Sequence, residues 1–168
     1  MLPAAQGTSY HGIAIGIGKD SLDRLSRQLT DREPFCLHEA GYDRCTSVSS
    51  DDGTIISAYL QNGVLKDVQI RRTLTTATST DSLRRLFAVW GDPDSLALPP
   101  RNWLPSETTF VSVSLGRWTR RGVDAWVGIH SEPHNPHTEF PFGFLDVQLT
   151  EPGFRATIDA STTTNLAP

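Results

Sequence analysis

A histidine-rich segment in the second half of the chain has the clearest chemical potential. Residues 130–139 (HSEPHNPHTE) place three imidazoles and two carboxylates within ten positions. Imidazole nitrogen and carboxylate oxygen suit zinc, and the two prolines would restrict the backbone of the segment. One interpretation is therefore a zinc site, as in a metal-dependent hydrolase, that uses His130, His134 and His137. A solvated polar loop and a pH-dependent contact are the two alternatives.

The two cysteines are the second feature with chemical potential. Cys36 and Cys45 are separated by eight residues, most of them polar, and the chain has no other thiol. Such a pair is typical of one disulfide that closes a short loop, which contributes about 2–3 kcal/mol through chain entropy. A disulfide would indicate an oxidising, extracytoplasmic compartment: periplasm, cell envelope or secretion. The alternatives are two unrelated reduced thiols and a metal site that also uses His38.

Motifs for nucleophilic or phosphate chemistry are missing from the sequence. There is no Gly-x-Ser-x-Gly segment and no Walker loop. Gly12, Gly16 and Gly18 precede a predicted helix, but no parallel strand–helix–strand pattern follows them. The simpler interpretation is a bend that leads into the helix. We therefore expect no catalytic residues, and a protein that is not an enzyme.

Composition and charge argue against two further classes of protein. The 168 residues carry a net charge of -4, with a pI of about 5.7, and no tract is rich in lysine or arginine. Nucleic-acid-binding proteins usually carry a basic patch, so we expect no nucleic-acid partner. No apolar run reaches the length of about 18 residues that marks a membrane-spanning helix, so we expect no transmembrane segment.

Three short segments recur in the same order in both halves of the chain. The pairs are 20–25 with 81–86, 46–50 with 111–115, and 63–70 with 143–149. Recurrence in register predicts two tandem copies of one unit. The predicted organisation is a linker or tag remnant over 1–9, a first repeat over 10–74, a second repeat over 75–158 and a flexible tail over 159–168.

An amphipathic helix is predicted at the start of each copy. Leu22, Leu25 and Leu29 form an i, i+3, i+7 stripe in the first helix. Apolar residues between 83 and 90 form a longer stripe in the second helix, and Gly91 should end it in the left-handed conformation.

Strands are predicted after each helix from period-two alternation. The clearest are 54–60, 64–71, 110–115, 123–129 and 144–149. Asn62-Gly63 between the first two is a strong hairpin signal. The predicted fold class is α+β, with two tandem units that each consist of a helix and a three-stranded antiparallel meander.

Two segments of the sequence resemble parts of a known family. Residues 10–22 (YHGIAIGIGKDSL) resemble the opening of the SmpA/OmlA (BamE-like) lipoprotein family, and residues 90–94 (WGDPD) resemble the phrase that ends the helical part in that family. Two tandem helix-plus-sheet units are also similar in design to the beta-lactamase-inhibitor protein. The resemblance implies an extracytoplasmic protein that works by contact, in binding or assembly. It leaves open a lipid or membrane tether, for which no cysteine is available near Met1.

The sheet face opposite the helices is the predicted contact surface. Alternation places Tyr59, Trp126 and Phe144 on that face, with Trp118 and Arg117 near a hairpin tip. Large aromatic side chains with nearby arginine are common at interface hot spots, so we expect a protein partner. The alternative is that these residues pack against the other copy or a dimer mate. Inhibition of a secreted hydrolase would use the same surface.

Overall fold

One antiparallel sheet of seven strands is the main element of the computed structural model. The structure describes residues 8–74, 85–86, 88–95, 111–120, 122–131 and 143–155. In chain order the elements are β1 (Ser9–Tyr10), β2 (Ile13–Ala14), α1 (Lys19–Thr30), β3 (Phe35–Glu39), β4 (Tyr42–Val48), β5 (Ile55–Gln61), β6 (Val64–Leu74), β7 (Val111–Arg120), β8 (Val123–Ser131) and β9 (Gly143–Thr150). Residues 85–86 and 88–90 form a second, short helical segment.

The strand order of the large sheet joins the two halves of the chain. The order is β3-β4-β5-β6-β9-β8-β7, and β1 and β2 form a separate two-stranded sheet. Strands β6 and β9 pair at the centre of the large sheet, from Asp67 opposite Thr150 to Leu74 opposite Gly143. Strand β9, the last of the described strands, therefore lies in the middle of the sheet.

The predicted α+β fold of two tandem helix-plus-meander units is wrong. The described residues are mostly β, in one sheet that runs across both halves, and their helical residues are α1 and the short stretches 85–86, 88–90 and 154–155. Pairing of β6 with β9 satisfies the backbone groups that two separate meanders would leave at open edges. The recurring segments 63–70 and 143–149 lie on these two adjacent strands, where Gln69 is opposite Gln148. A duplicated unit finds no support in this arrangement.

Local turn chemistry explains the hairpin between β5 and β6. Asn62 and Gly63 both have positive φ, at 51° and 73°, as a type I′ turn requires. Strand β5 alternates between half-buried and buried residues along its whole length, which is the pattern of a strand that covers a core with one face. The predicted Asn-Gly hairpin is confirmed.

Helix α1 covers one face of the sheet, which we call the inner face. Leu22 is fully buried, and Leu25 and Leu29 pack against the same core, as the stripe predicts. The helix begins after Gly18, so Asp20 lies within its first turn, and it ends at Asp31 in the left-handed conformation. Within the described residues, no helix has the length and apolar character needed to cross a bilayer.

The predicted disulfide is present. Cys36 and Cys45 are directly opposite each other on β3 and β4, with an S–S distance of 2.04 Å. Because both sulfurs are bonded to each other, they are not thiolate ligands for a metal, and His38 instead contacts Asp43, with Nδ1 and Oδ1 2.6 Å apart. The disulfide is consistent with an oxidising compartment.

Candidate functional site

The outer face, opposite α1, carries most of the predicted contact residues. Arg117 is opposite Trp126 on the neighbouring strand, and Phe144 and Tyr59 alternate with inward core residues. Trp118 lies on the inner face, because it is opposite the buried residue Ala125. Alternation therefore places four of the five residues on the expected face.

Trp118 is fully buried, so the expectation that it faces solvent near a hairpin tip is wrong. Its ring lies edge-on to Trp90, with centroids 5.3 Å apart, and its Nε1 donates to the Gly91 carbonyl oxygen at 3.0 Å. The strand register shifts between Ser114 and Gly116, which interrupts simple alternation along β7. Trp118 holds the end of the second helical segment against the sheet.

Trp126 is also buried, although it lies on the outer face. Its ring covers Gly128, two residues further along β8: a Cβ atom at Gly128 would lie 2.1 Å from Cη2 of the ring. The absence of a side chain at position 128 thus provides the space that the indole occupies. The expectation of an exposed tryptophan at this position is wrong, for a reason that depends on the glycine.

Phe144 and Tyr59 are half-buried, and each lies beneath an arginine. The guanidinium carbon of Arg71 is 5.4 Å from the centroid of the Phe144 ring, and that of Arg155 is 5.3 Å from the centroid of the Tyr59 ring. These are cation–π distances. Arg117 has a different partner, since its Nη2 lies 3.4 Å from Oδ2 of Asp124.

A buried network of charged groups fills the centre of the outer face. Asp67 is fully buried and accepts hydrogen bonds from Nε and Nη2 of Arg155 at 2.9 and 2.7 Å, and from Gln148 at 3.1 Å. Burial raises the pKa of the Asp67 carboxyl, and the charge and hydrogen bonds of Arg155 oppose that rise. Arg71 forms a second pair with Asp146, at 2.8 and 3.2 Å.

Sequence reasoning missed this network. Asp67 and Arg155 are 88 positions apart, and Arg71 and Asp146 are 75 positions apart. The sequence does place charged residues at outward positions of otherwise apolar strands. This pattern indicates a polar face, but it does not identify which charged residues form ion pairs with each other. Each carboxylate of this network is paired with an arginine. Because Arg155 is one of these arginines, the network is suited to fixing residues 151–155 on the sheet.

Among the described residues, the exposed large apolar side chains of the outer face lie at the β3 edge. Phe35, Leu37 and Val48 are 69%, 45% and 46% exposed, and the strand register places all three on the outer face. We call these three residues the edge patch. The alternation of apolar and polar residues did not predict β3, because the large apolar side chains of this strand point outward and not into the core.

A tyrosine pair borders the edge patch. The rings of Tyr42 and Tyr59 have centroids 5.6 Å apart, and the Tyr42 hydroxyl donates to Oε2 of Glu39 at 2.7 Å. That hydrogen bond, with a smaller effect from burial, raises the pKa of Tyr42 to about 12. Tyr42 therefore remains a neutral hydrogen-bond donor at physiological pH.

The proposed zinc ligands lie mostly outside the described residues. The backbone of His130 belongs to β8, opposite Phe144, whereas His134 and His137 fall in a part of the chain that the structure does not describe. Within the described ranges, no three histidine, cysteine or acidic side chains are grouped as a metal site would require. Zinc binding by this segment stays a prediction.

Comparison with protein-family models, with curated proteins and with solved structures found no match to this chain.

Proposed function

We propose that this chain is an extracytoplasmic, non-catalytic binding protein that contacts a protein partner through the edge patch and the adjoining outer face. The single observation that supports this most is the exposure of Phe35 and Leu37 on the edge strand β3 and of Val48 on the adjacent strand β4, all on the outer face. Exposed apolar side chains that are grouped in this way commonly mark interaction sites, whereas scattered ones carry no such meaning.

The backbone of β3 offers a second element of recognition. The Cα atoms of Cys36 and Cys45 are 4.0 Å apart, which is the separation of a pair that does not share hydrogen bonds. The N–H and C=O groups of Cys36, and by alternation those of His38, therefore point away from β4. Among the described residues, no strand pairs with this edge of the sheet. A strand of the partner could add there, with Phe35 and Leu37 packed against its side chains.

The disulfide supports both the location and the mode of binding. It links β3 to β4 near the start of the edge strand, so the strand is held in place before any partner arrives. A preorganised edge loses less conformational entropy on binding than a flexible one. An oxidising compartment is required for the bond to persist, and we propose the periplasm, cell envelope or extracellular space.

Site-specific photo-cross-linking tests the proposal directly. A photoreactive amino acid at position 37 is expected to cross-link a partner protein in cell-envelope or secreted fractions, whereas the same group at position 89 provides the control. Val89 is a matched position because its side chain is also exposed and apolar but lies away from the edge patch.

The affinity for the partner identified in this way then tests the edge patch. Burial of a phenylalanine or leucine side chain contributes about 1.5–3 kcal/mol, so Phe35→Ser should weaken binding by about 10- to 100-fold. Val89→Ser should leave the affinity unchanged. Equal cross-linking from positions 37 and 89, or equal affinities for the two serine variants, would refute the proposal. A product of twice the chain's own mass would identify a second copy as the partner.

A further inference from the structure

A cleft on the inner side of the protein is separate from the edge patch. It has a volume of about 650 Å³ and lies between the β1–β2 hairpin, the end of β6 and the second helical segment. Its lining residues are Ser9, Tyr10, His11, Gly12, Ala14, Arg72, Arg85, Leu86, Val89 and Trp90. Clefts of about 300–1,000 Å³ are the usual size for sites that hold small organic molecules.

The charge of the cleft is positive. Arg72 and Arg85 both line it, and none of the described lining residues is acidic. Neither arginine forms an ion pair with a carboxylate in the described part of the chain. Burial raises the pKa of Asp52, whereas hydrogen bonds with Thr54 and Ser49 and the charge of Arg72 lower it, and Asp52 does not line the cleft. Within the described ranges, two guanidinium groups thus line one concave space without a paired carboxylate.

His11 lines the same cleft as these two arginines, and its imidazole is neutral. Its Nε2 lies 3.2 Å from Nη1 of Arg72, and a guanidinium group can only donate, so this nitrogen must accept. The His11 side chain is exposed, but partial desolvation of its ring, followed by the charges of Arg72 and Arg85, lowers the pKa of His11. The imidazole therefore adds no positive charge at neutral pH, but it can take up a proton when a negative charge is placed beside it.

The remaining walls of the cleft are mixed in character. Val89 is exposed although it is apolar, and Leu86 and Trp90 form a buried apolar surface next to it. Tyr10 also lines the cleft, and its buried hydroxyl has no hydrogen-bond partner among the described residues.

We propose that this cleft binds a small organic anion, with a carboxylate or phosphate group held by Arg72 and Arg85 and an apolar part packed against Val89 and Trp90. Guanidinium groups bind both kinds of oxyanion through charge-assisted, often bidentate hydrogen bonds. The proposal does not depend on the edge patch, because the lining residues of the cleft and the edge patch have no member in common.

Hexanoate, hexyl phosphate and hexanol are the probes for this site. Backbone amide shifts of His11 and Arg85 are followed by NMR during titration of the full chain with each compound. We expect saturable shifts with at least one anion and none with hexanol, because the alcohol has the apolar part without the charge. The anion that binds more tightly identifies the preferred group. Equal shifts with hexanol, or none with either anion, would overturn the proposal.

Arginine variants test the assignment of the site. Arg72→Gln and Arg85→Gln should each weaken anion binding by about tenfold or more, because a hydrogen bond to a charged group contributes about 1.5–3 kcal/mol. Arg24→Gln is the matched control, since Arg24 is an exposed arginine of α1 outside the cleft. A wild-type-like amide spectrum confirms that each variant is folded. Unchanged affinity in both cleft variants would contradict the proposal.

The pH dependence provides a second readout. The titratable and charged groups that line the cleft are His11, Tyr10, Arg72 and Arg85, of which only the imidazole titrates near neutral pH. A bound carboxylate favours protonated His11, so hexanoate should bind severalfold more tightly at about pH 6 than at about pH 8. His11→Gln should remove this difference, and persistence of the difference in that variant would count against the proposed arrangement.

Discussion

Removal of the Arg155 side chain should destabilise the protein substantially at neutral pH. Arg155 donates two hydrogen bonds to Asp67, which is fully buried, whereas the Arg155 side chain is 23% exposed. The two partners are therefore unequal. Arg155→Ala leaves a buried carboxylate without its cation, whereas Asp67→Asn leaves an arginine that can reach water.

The magnitude follows from this inequality. Loss of one member of a buried ion pair costs about 3–5 kcal/mol when the remaining charge stays buried. We expect Arg155→Ala to lie near the lower end, about 3 kcal/mol, because Gln148 still donates to the carboxylate. For a chain of this length that corresponds to a fall in melting temperature of about 6–12 °C.

The loss of stability should depend on pH. Burial raises the pKa of Asp67 above its ordinary value of 3.8, and removal of the opposing Arg155 raises it further. A carboxyl whose pKa is raised on folding contributes stability that is present below pH 3.8 and is lost as the pH rises through the folded-state pKa. That loss is larger in Arg155→Ala. The difference in free energy of unfolding between wild type and variant should therefore increase from about pH 3.8 towards neutrality.

Urea unfolding, followed by tryptophan fluorescence at several pH values, measures this gap. Arg117→Ala is the control, because the Arg117–Asp124 pair is more exposed and should contribute about 0–1 kcal/mol. Two results would contradict this prediction: a loss of unfolding free energy in Arg155→Ala that equals the loss in Arg117→Ala at neutral pH, or a loss in Arg155→Ala that does not change with pH.

Three further substitutions test the local structure. Gly128→Ala should lower the free energy of unfolding by about 1–3 kcal/mol and increase acrylamide quenching of Trp126, because the new methyl group occupies the space of the indole; unchanged quenching would contradict this placement. Replacement of Cys36 and Cys45 by serine should cost about 2.5 kcal/mol, given the separation of nine positions, and the reduced wild type should match this variant. Gly91→Ala should cost about 1 kcal/mol in urea unfolding because Gly91 has φ of 74°, and a neutral effect would count against the left-handed helix end.

Features set by neighbouring residues could be predicted from the sequence. The Asn62-Gly63 turn depends on two residues that tolerate positive φ, and the burial of Leu22 follows from the spacing of three leucines. The cysteine pair was similarly local, because Cys36 and Cys45 are held within one hairpin. Each of these predictions required only a few residues of context.

Features that depend on distant pairing could not be predicted. The meeting of β6 with β9 joins residues about 80 positions apart, and two separate meanders would satisfy the same alternation pattern. The burial of Trp126 requires the open space above Gly128, which alternation does not reveal. Strand β3 could not be predicted from alternation either, because its large apolar residue Phe35 points outward, against the usual pattern of apolar inward and polar outward residues.

The central position of β9 has a consequence for the order of events in folding. Strands β3 to β6 and strands β7 to β8 each pair with neighbours along the chain, but in the described sheet the two groups are joined by β9, which is synthesised after all of them. Before residue 150 has been made, β6 and β8 both present open edges to other chains. Folding should therefore be slow compared with helical proteins of the same length, and a nascent chain that stalls before β9 should be the species most prone to aggregate.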